Sequence, residues 1–197
     1  MMPDYQSLSD EELARQSQDG SLVAFEELVA RYERRIYAFV FQSCRSDVDA
    51  RELTQDTFVR AFQALRQFDG RHAFAPWLFT IARRKCVDAF RARRVAIEAD
   101  GSDEPDTNDP AALLERREES ENLWMMARRT LPEGHYQALW LYYVEEMTVA
   151  QVAAALGKTQ THAKVMLLRA RRALGKAMAE PAAQQASPLP KTESFVL

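Results

Sequence analysis

Between Lys158 and Lys176 the chain carries six basic residues (Lys158, Lys164, Arg169, Arg171, Arg172 and Lys176) and no acidic one. Cations recurring along one element neutralise phosphate oxygens, and the side chains among them can touch base edges. The chemistry on offer is nucleic-acid recognition. No nucleophile, base and orienting group converge anywhere in the sequence, so no enzymatic activity is read. Cys44 and Cys86 have no partner at ligand spacing, and His72, His135 and His162 are scattered, so no disulfide, metal site or cofactor is expected.

The basic residues need a helix to present them. Thr148 with Gln151 forms a capping box ahead of the apolar stripe Val149, Val152, Ala153 and Leu156. Gly157 stands where a left-handed residue ends such a helix, and Thr159 can cap a second one whose face is Ala163, Met166, Leu167, Ala170 and Leu174. The pattern is a helix-turn-helix with DNA binding as its reading, a solvated helical hairpin being the alternative.

A second basic stretch precedes it. Arg71 to Val95 holds seven basic residues and one acidic, whereas Ala96 to Glu121 holds ten acidic and two basic, so the net charge of −3 hides two basic segments parted by an acidic one. In WLFTIARRKCVDAFRARR, spacings of seven put Trp77, Arg84 and Arg91 on one side of a helix, flanked by Lys85 and Asp88. Cations that hold phosphates beside a ring that stacks bases suit single-stranded nucleic acid, although a lone Trp is more often core. The acidic stretch EADGSDEPDTNDP has almost no apolar residues, and reads as a solvated linker or as a mimic of nucleic acid lying on a basic groove.

The remaining N-terminal half reads as a helical bundle. Ser9 and Glu12 can form a capping box, and Phe25, Leu28, Val29, Tyr32, Ile36 and Phe39, then Phe58, Ala61, Phe62 and Leu65, recur at helical spacing as expected core. With 197 residues, 47% hydrophobic, and only six glycines, the chain predicts an all-α fold of two helical domains joined by a flexible acidic linker. The expected boundaries are 1–95, a linker over 96–112, a second domain over 113–179 and a disordered tail over 180–197. No apolar run reaches membrane-spanning length and the N-terminal residues are too acidic for a signal peptide, so a cytoplasmic protein without membrane insertion is expected.

The succession FEELVARYERRIYAFV, DARELTQDTFVRAFQAL, FDGRHAFAPWLFTIARRKCVDAFRARR, an acidic linker and TLPEGHYQALWLYYVEEMTVAQVAAALG resembles bacterial RNA polymerase sigma factors of the extracytoplasmic-function type. The resemblance implies a subunit that binds core polymerase, recognises the minus-ten and minus-thirty-five promoter elements and helps open the duplex. It places Asp49, Glu52, Gln55 and Asp56 against the clamp helices of the largest polymerase subunit, and domain four on the flap. Phe68, Arg71, His72, Trp77, Arg83, Arg84, Lys85, Asp88 and Arg91 are implied at the minus-ten strand, and Gln160, Thr161, Lys164, Val165, Leu168, Arg169 and Arg172 at minus-thirty-five DNA.

Three departures qualify the resemblance. Arg51 stands where the family usually carries an acid, so the polymerase-facing patch is less negative. Arg84 replaces a common asparagine and can hold phosphate instead. Val165 and Leu168 stand exposed among basic groups, where they can touch thymine methyls or a protein partner such as an anti-sigma factor or domain two. Thr54 and Thr57 lie in the polymerase-facing block, where a Ser/Thr kinase would add about −1.5 to −2 charges each, against their plainer reading as helix residues. The apolar end Phe195-Val196-Leu197 is either a solvated tail or a docking segment. A helix-turn-helix regulator independent of polymerase, or a protein adaptor, are the alternatives.

Overall fold

Side-chain caps set the helix boundaries in the computed structural model, which describes residues 4–100 and 118–179. After a single turn at Tyr5–Ser7, α1 (Asp10–Gln18) begins at Ser9, whose hydroxyl accepts from the Glu12 N–H while the Glu12 carboxylate accepts from the Ser9 N–H at 2.8 Å. Helix α2 (Leu22–Cys44) ends on Arg45 in the left-handed region, φ 56°, and α3 (Asp47–Ala64) follows from the Ser46 cap. A short turn, Leu65–Gln67, and a loop lead to α4 (Phe74–Asp100). The second unit comprises α5 (Glu118–Thr130), α6 (Glu133–Tyr143), α7 (Val149–Leu156) and α8 (Gln160–Ala179). Among the described residues there is no strand, and no helix is long and apolar enough to cross a membrane.

Helices α1 to α4 bury most of the predicted stripe: Leu28, Tyr32, Ile36 and Phe39 of α2 meet Phe58 and Ala61 of α3 and Leu78 and Phe79 of α4, whereas Phe25 and Val29 are only half-buried. Edge-to-face rings tie the layers, with Phe39 5.2 Å from Phe79 and Tyr32 5.6 Å from Phe74. Phe62 departs from its expected place in the core. It is 46% exposed, because it lies one step off the buried line of Phe58, Ala61 and Leu65, and its ring packs on that of Phe25, centroids 5.0 Å apart. The C-terminal unit has its own aromatic centre of Trp124, Tyr136 and Trp140.

Helix α4 continues to Asp100, five residues past the boundary expected from composition. Ala96, Ile97, Glu98 and Ala99 are compatible with a helix, and the breakers Gly101 and Pro105 come only afterwards. The rest of the expected linker and the expected tail lie outside the described residues.

The two units pack on each other, α7 against α4 and α6 against α2. Arg35 of α2 holds Glu145, in the turn after α6, at 2.8 Å; the Glu145 side chain is 3% exposed and that of Arg35 40%. Beside it, Ser43 donates to Glu133 at 2.9 Å, Gln137 donates to Glu133 at 2.8 Å, and Tyr136 donates to Gln42 at 3.0 Å. Burial pushes the Glu145 carboxyl above its ordinary value, with Arg35 opposing the shift. A carboxyl whose folded pKa is raised contributes stability that is fully present below its unfolded pKa and is lost as pH rises through the folded one. Glu145→Gln is therefore expected to flatten this part of the pH dependence in urea unfolding. Arg35→Ala, which leaves the carboxylate without its cation, is expected to lower stability by about 2 kcal/mol at neutral pH.

Candidate functional site

The helix-turn-helix of α7 and α8 is built by its caps. Thr148 and Gln151 close a capping box on α7, and Gly157 at φ 62° lets the Lys158 N–H reach the Ala153 carbonyl at 2.8 Å and its own N–H reach that of Ala154. Thr159 then accepts from the His162 N–H, starting α8. Ala163, Met166, Leu167 and Ala170 turn inward, while Gln160, Thr161, Lys164, Val165, Leu168, Arg169 and Arg172 are all exposed. Arg171 is used internally: it donates to the Tyr143 hydroxyl at 2.9 Å and lies over the Tyr142 ring. His135, beneath this surface, has its pKa lowered by burial and by Arg169.

The loop between α3 and α4 presents a second basic surface. Asp69 accepts from the Arg71 backbone and guanidinium, which hold its carboxyl well below the usual range, and Arg71 and His72 form an exposed tip. Phe68 is absent from that tip. Its ring is buried 5.5 Å from Phe74 and 5.2 Å from Trp77, so it anchors the loop, and Trp77 is half-buried in the same cluster. Helix α1 supports the loop from below. The Gln18 amide donates to the carbonyls of Leu65 and Phe68 at 2.8 Å, and Glu11 accepts from the Phe74 N–H. No local pattern marks Gln18 for this task, since its partners lie about fifty residues away.

Along α4, Arg84, Asp88 and Arg91 are exposed, and Arg83 is half-buried. Lys85 turns instead to Asp56 of α3 at 2.9 Å, and Arg93 approaches Asp49 at 3.9 Å. Two of the four polar residues expected to face a protein partner are thus offset by α4, and Glu52 and Gln55 remain exposed on α3. Arg51 is paired with Asp47 at 2.8 Å. The same helix borders an open groove of about 930 Å³ against α2, whose walls include Phe25, Val29, Gln55, Val59 and Phe62. Sequence reading missed Val59 and Phe62 as surface residues; their one legible mark is a position beside the buried stripe. Thr54 and Thr57 are buried, and their hydroxyls donate to the Ala50 and Leu53 carbonyls at 2.6 and 2.7 Å, so in this packing neither is presented to a kinase.

The family model for Sigma-70 region 2 matches residues 28–95, and that for Sigma-70 region 4 matches residues 123–174. The chain is 28% identical over 180 residues to the ECF RNA polymerase sigma factor BldN of Streptomyces coelicolor, covering 87% of this chain and 66% of that protein. It is 43% identical over 88 residues to the RNA polymerase sigma factor NccH of Alcaligenes xylosoxydans xylosoxydans, covering 44% of this chain and 46% of that one. The aligned segments thus span about two thirds of the first protein and under half of the second. The solved structure of CnrH in complex with the cytosolic domain of CnrY is similar in fold, with a TM-score of 0.63 at 26% identity over 86% of this chain and 96% of that one.

The two aromatic and basic components of the loop separate experimentally. Phe68→Ala should cost about 3 kcal/mol in urea unfolding through the cavity it leaves. Arg71→Ala, at a side chain 86% exposed, should change stability by under ~0.5 kcal/mol yet reduce the salt dependence of single-strand binding by roughly one counterion.

Proposed function

Since the chain belongs to the sigma-70 family, carrying region 2 and region 4 in the order of its extracytoplasmic-function branch, we propose that it is an alternative sigma factor that directs core RNA polymerase to promoters and assists DNA opening. The observation that carries this reading is the presence in one chain of two exposed basic surfaces and, apart from them, an apolar groove whose polar lining, Glu33, Arg34, Arg51 and Gln55 among it, is mixed in charge. The groove between α2 and α3, with Gln55 at its rim, together with Glu52 exposed elsewhere on α3, is the docking surface for the clamp helices of the largest polymerase subunit. Because Lys85 and Arg93 offset Asp56 and Asp49, the apolar walls supply more of this contact than charge does.

The loop tip at Arg71 and His72 and the exposed side of α4 hold the minus-ten strand. Unstacking a base there costs a few kcal/mol, which cations along α4 offset by binding phosphates. The second unit reads the minus-thirty-five element with α8 and contacts the polymerase flap. Elements about 25 base pairs apart lie roughly 85 Å apart along B-DNA, whereas α4 with its 27 residues is only about 40 Å long. The packed arrangement therefore engages one element at a time, and simultaneous reading requires α7 to leave α4. The protein itself makes no bond; nucleotide chemistry belongs to the polymerase, and the working compartment is the cytoplasm. A further protein partner, of anti-sigma type, is in keeping with the similar protein CnrH, which was solved bound to the cytosolic domain of CnrY.

The test is affinity for bacterial core RNA polymerase. Unmodified protein should bind, and Glu52→Lys/Phe62→Ala should weaken binding at least about tenfold with little change in melting temperature, since both residues are exposed. Failure of the unmodified protein to bind would contradict the assignment.

A further inference from the structure

The recognition helix carries a line of residues whose chemistry says which bases it reads. Successive offsets of four, three and four residues place Thr161, Val165, Leu168 and Arg172 on one line of α8. That line lies opposite the buried face of Ala163, Met166, Leu167 and Ala170, so it is the part farthest from the core. Val165 is 38% exposed and Leu168 45% exposed at its centre, with Lys164 and Arg169 exposed on either side. No acidic residue occurs from Lys158 to Lys176.

Neither solvent nor phosphate accounts for two branched apolar side chains at the middle of the most positive face of the unit. The packing of α7 on α4 leaves both exposed as well. A partner protein matched to this face would need an apolar spot ringed by acids. The flanking one-signed cations match instead the phosphates on both rims of a major groove, and a helix seated there points its outermost line at the groove floor. Of the unmodified base edges on that floor, thymine presents a methyl group. Val165 and Leu168 are separated along the helix by three residues, roughly 4.5 Å, close to the roughly 3.4 Å between stacked bases.

Resting on the assignment of α8 as the minus-thirty-five reader, we propose that Val165 and Leu168 are specificity-determining residues that contact the C5 methyl groups of thymines on neighbouring base pairs of that element. Lys164, Arg169 and Arg172 fix the helix on the backbone, and the two apolar side chains supply discrimination at these steps.

The experiment uses full-length protein assembled with core RNA polymerase and a DNA library randomised across the upstream element. The selected sites should contain neighbouring thymines, on either strand. Replacing those thymines by deoxyuridine, which deletes only the methyl, should then weaken binding about fourfold per methyl for the unmodified protein. Val165→Ser/Leu168→Gln, at exposed positions, should lose this sensitivity to under about twofold while its melting temperature stays unchanged. A defined selected element without such thymines, or equal binding of thymine and deoxyuridine sites by the unmodified protein, would overturn the proposal while leaving the sigma assignment intact. Absence of any selection by the assembled polymerase would overturn both.

Discussion

A carboxylate removed from water must find a cation or a proton, and Glu145, 3% exposed, finds Arg35. The turn after α6 is thereby held on α2. The Ser43, Glu133 and Gln137 hydrogen bonds and the Tyr136 to Gln42 bond set the neighbouring contacts. With the turn fixed, α7 falls across α4, where Thr80 Oγ1 lies 3.4 Å from the Ala154 carbonyl. Three surfaces are left outward as a result: the outer line of α8, the tip at Arg71, and the groove between α2 and α3. Contacts that rest on an ion pair and hydrogen bonds can be exchanged for contacts to a larger partner, which an apolar interface of the same extent would resist.

Charge is managed locally within the N-terminal unit. Helix α4 is both the element proposed to hold the DNA strand and the neighbour of α3, and its cations are divided between the two sides. Lys85 and Arg93 face α3, whereas Arg84 and Arg91 stand exposed. The patch proposed to face the polymerase is consequently weak in net charge, with Arg51 satisfied by Asp47 within its own helix. Phe62 and Val59, left outside the core, give that patch the apolar area that charge does not provide.

Much of this architecture is legible along the chain because it is local. The capping boxes at Ser9 and Thr148, the left-handed Gly157 and the buried face of α8 all follow from residues within one or two turns of each other. Periodicity alone could not separate Phe58 from Phe62, since four residues span slightly more than a turn and only the position of α2 decides which ring is covered. It likewise could not tell that Phe68 points inward, which depends on Phe74 and Trp77 meeting it after the loop closes. The choice between a modifiable and a plain helical reading of Thr54 and Thr57 is open along the chain, and α3 turns both inward, where the hydroxyls satisfy backbone carbonyls. The Arg35 to Glu145 pair joins residues 110 positions apart, and no pattern in a single sequence encodes such a match.

Initiation by the polymerase tests the account most directly. Core RNA polymerase with and without the full-length protein would be supplied with fragmented bacterial genomic DNA, and the 5′ ends of the transcripts mapped. The account predicts a small set of start sites that appear only with the protein, each preceded by a shared pair of upstream elements. Identical start sites with and without the protein, under conditions where it is bound to the polymerase, would contradict it.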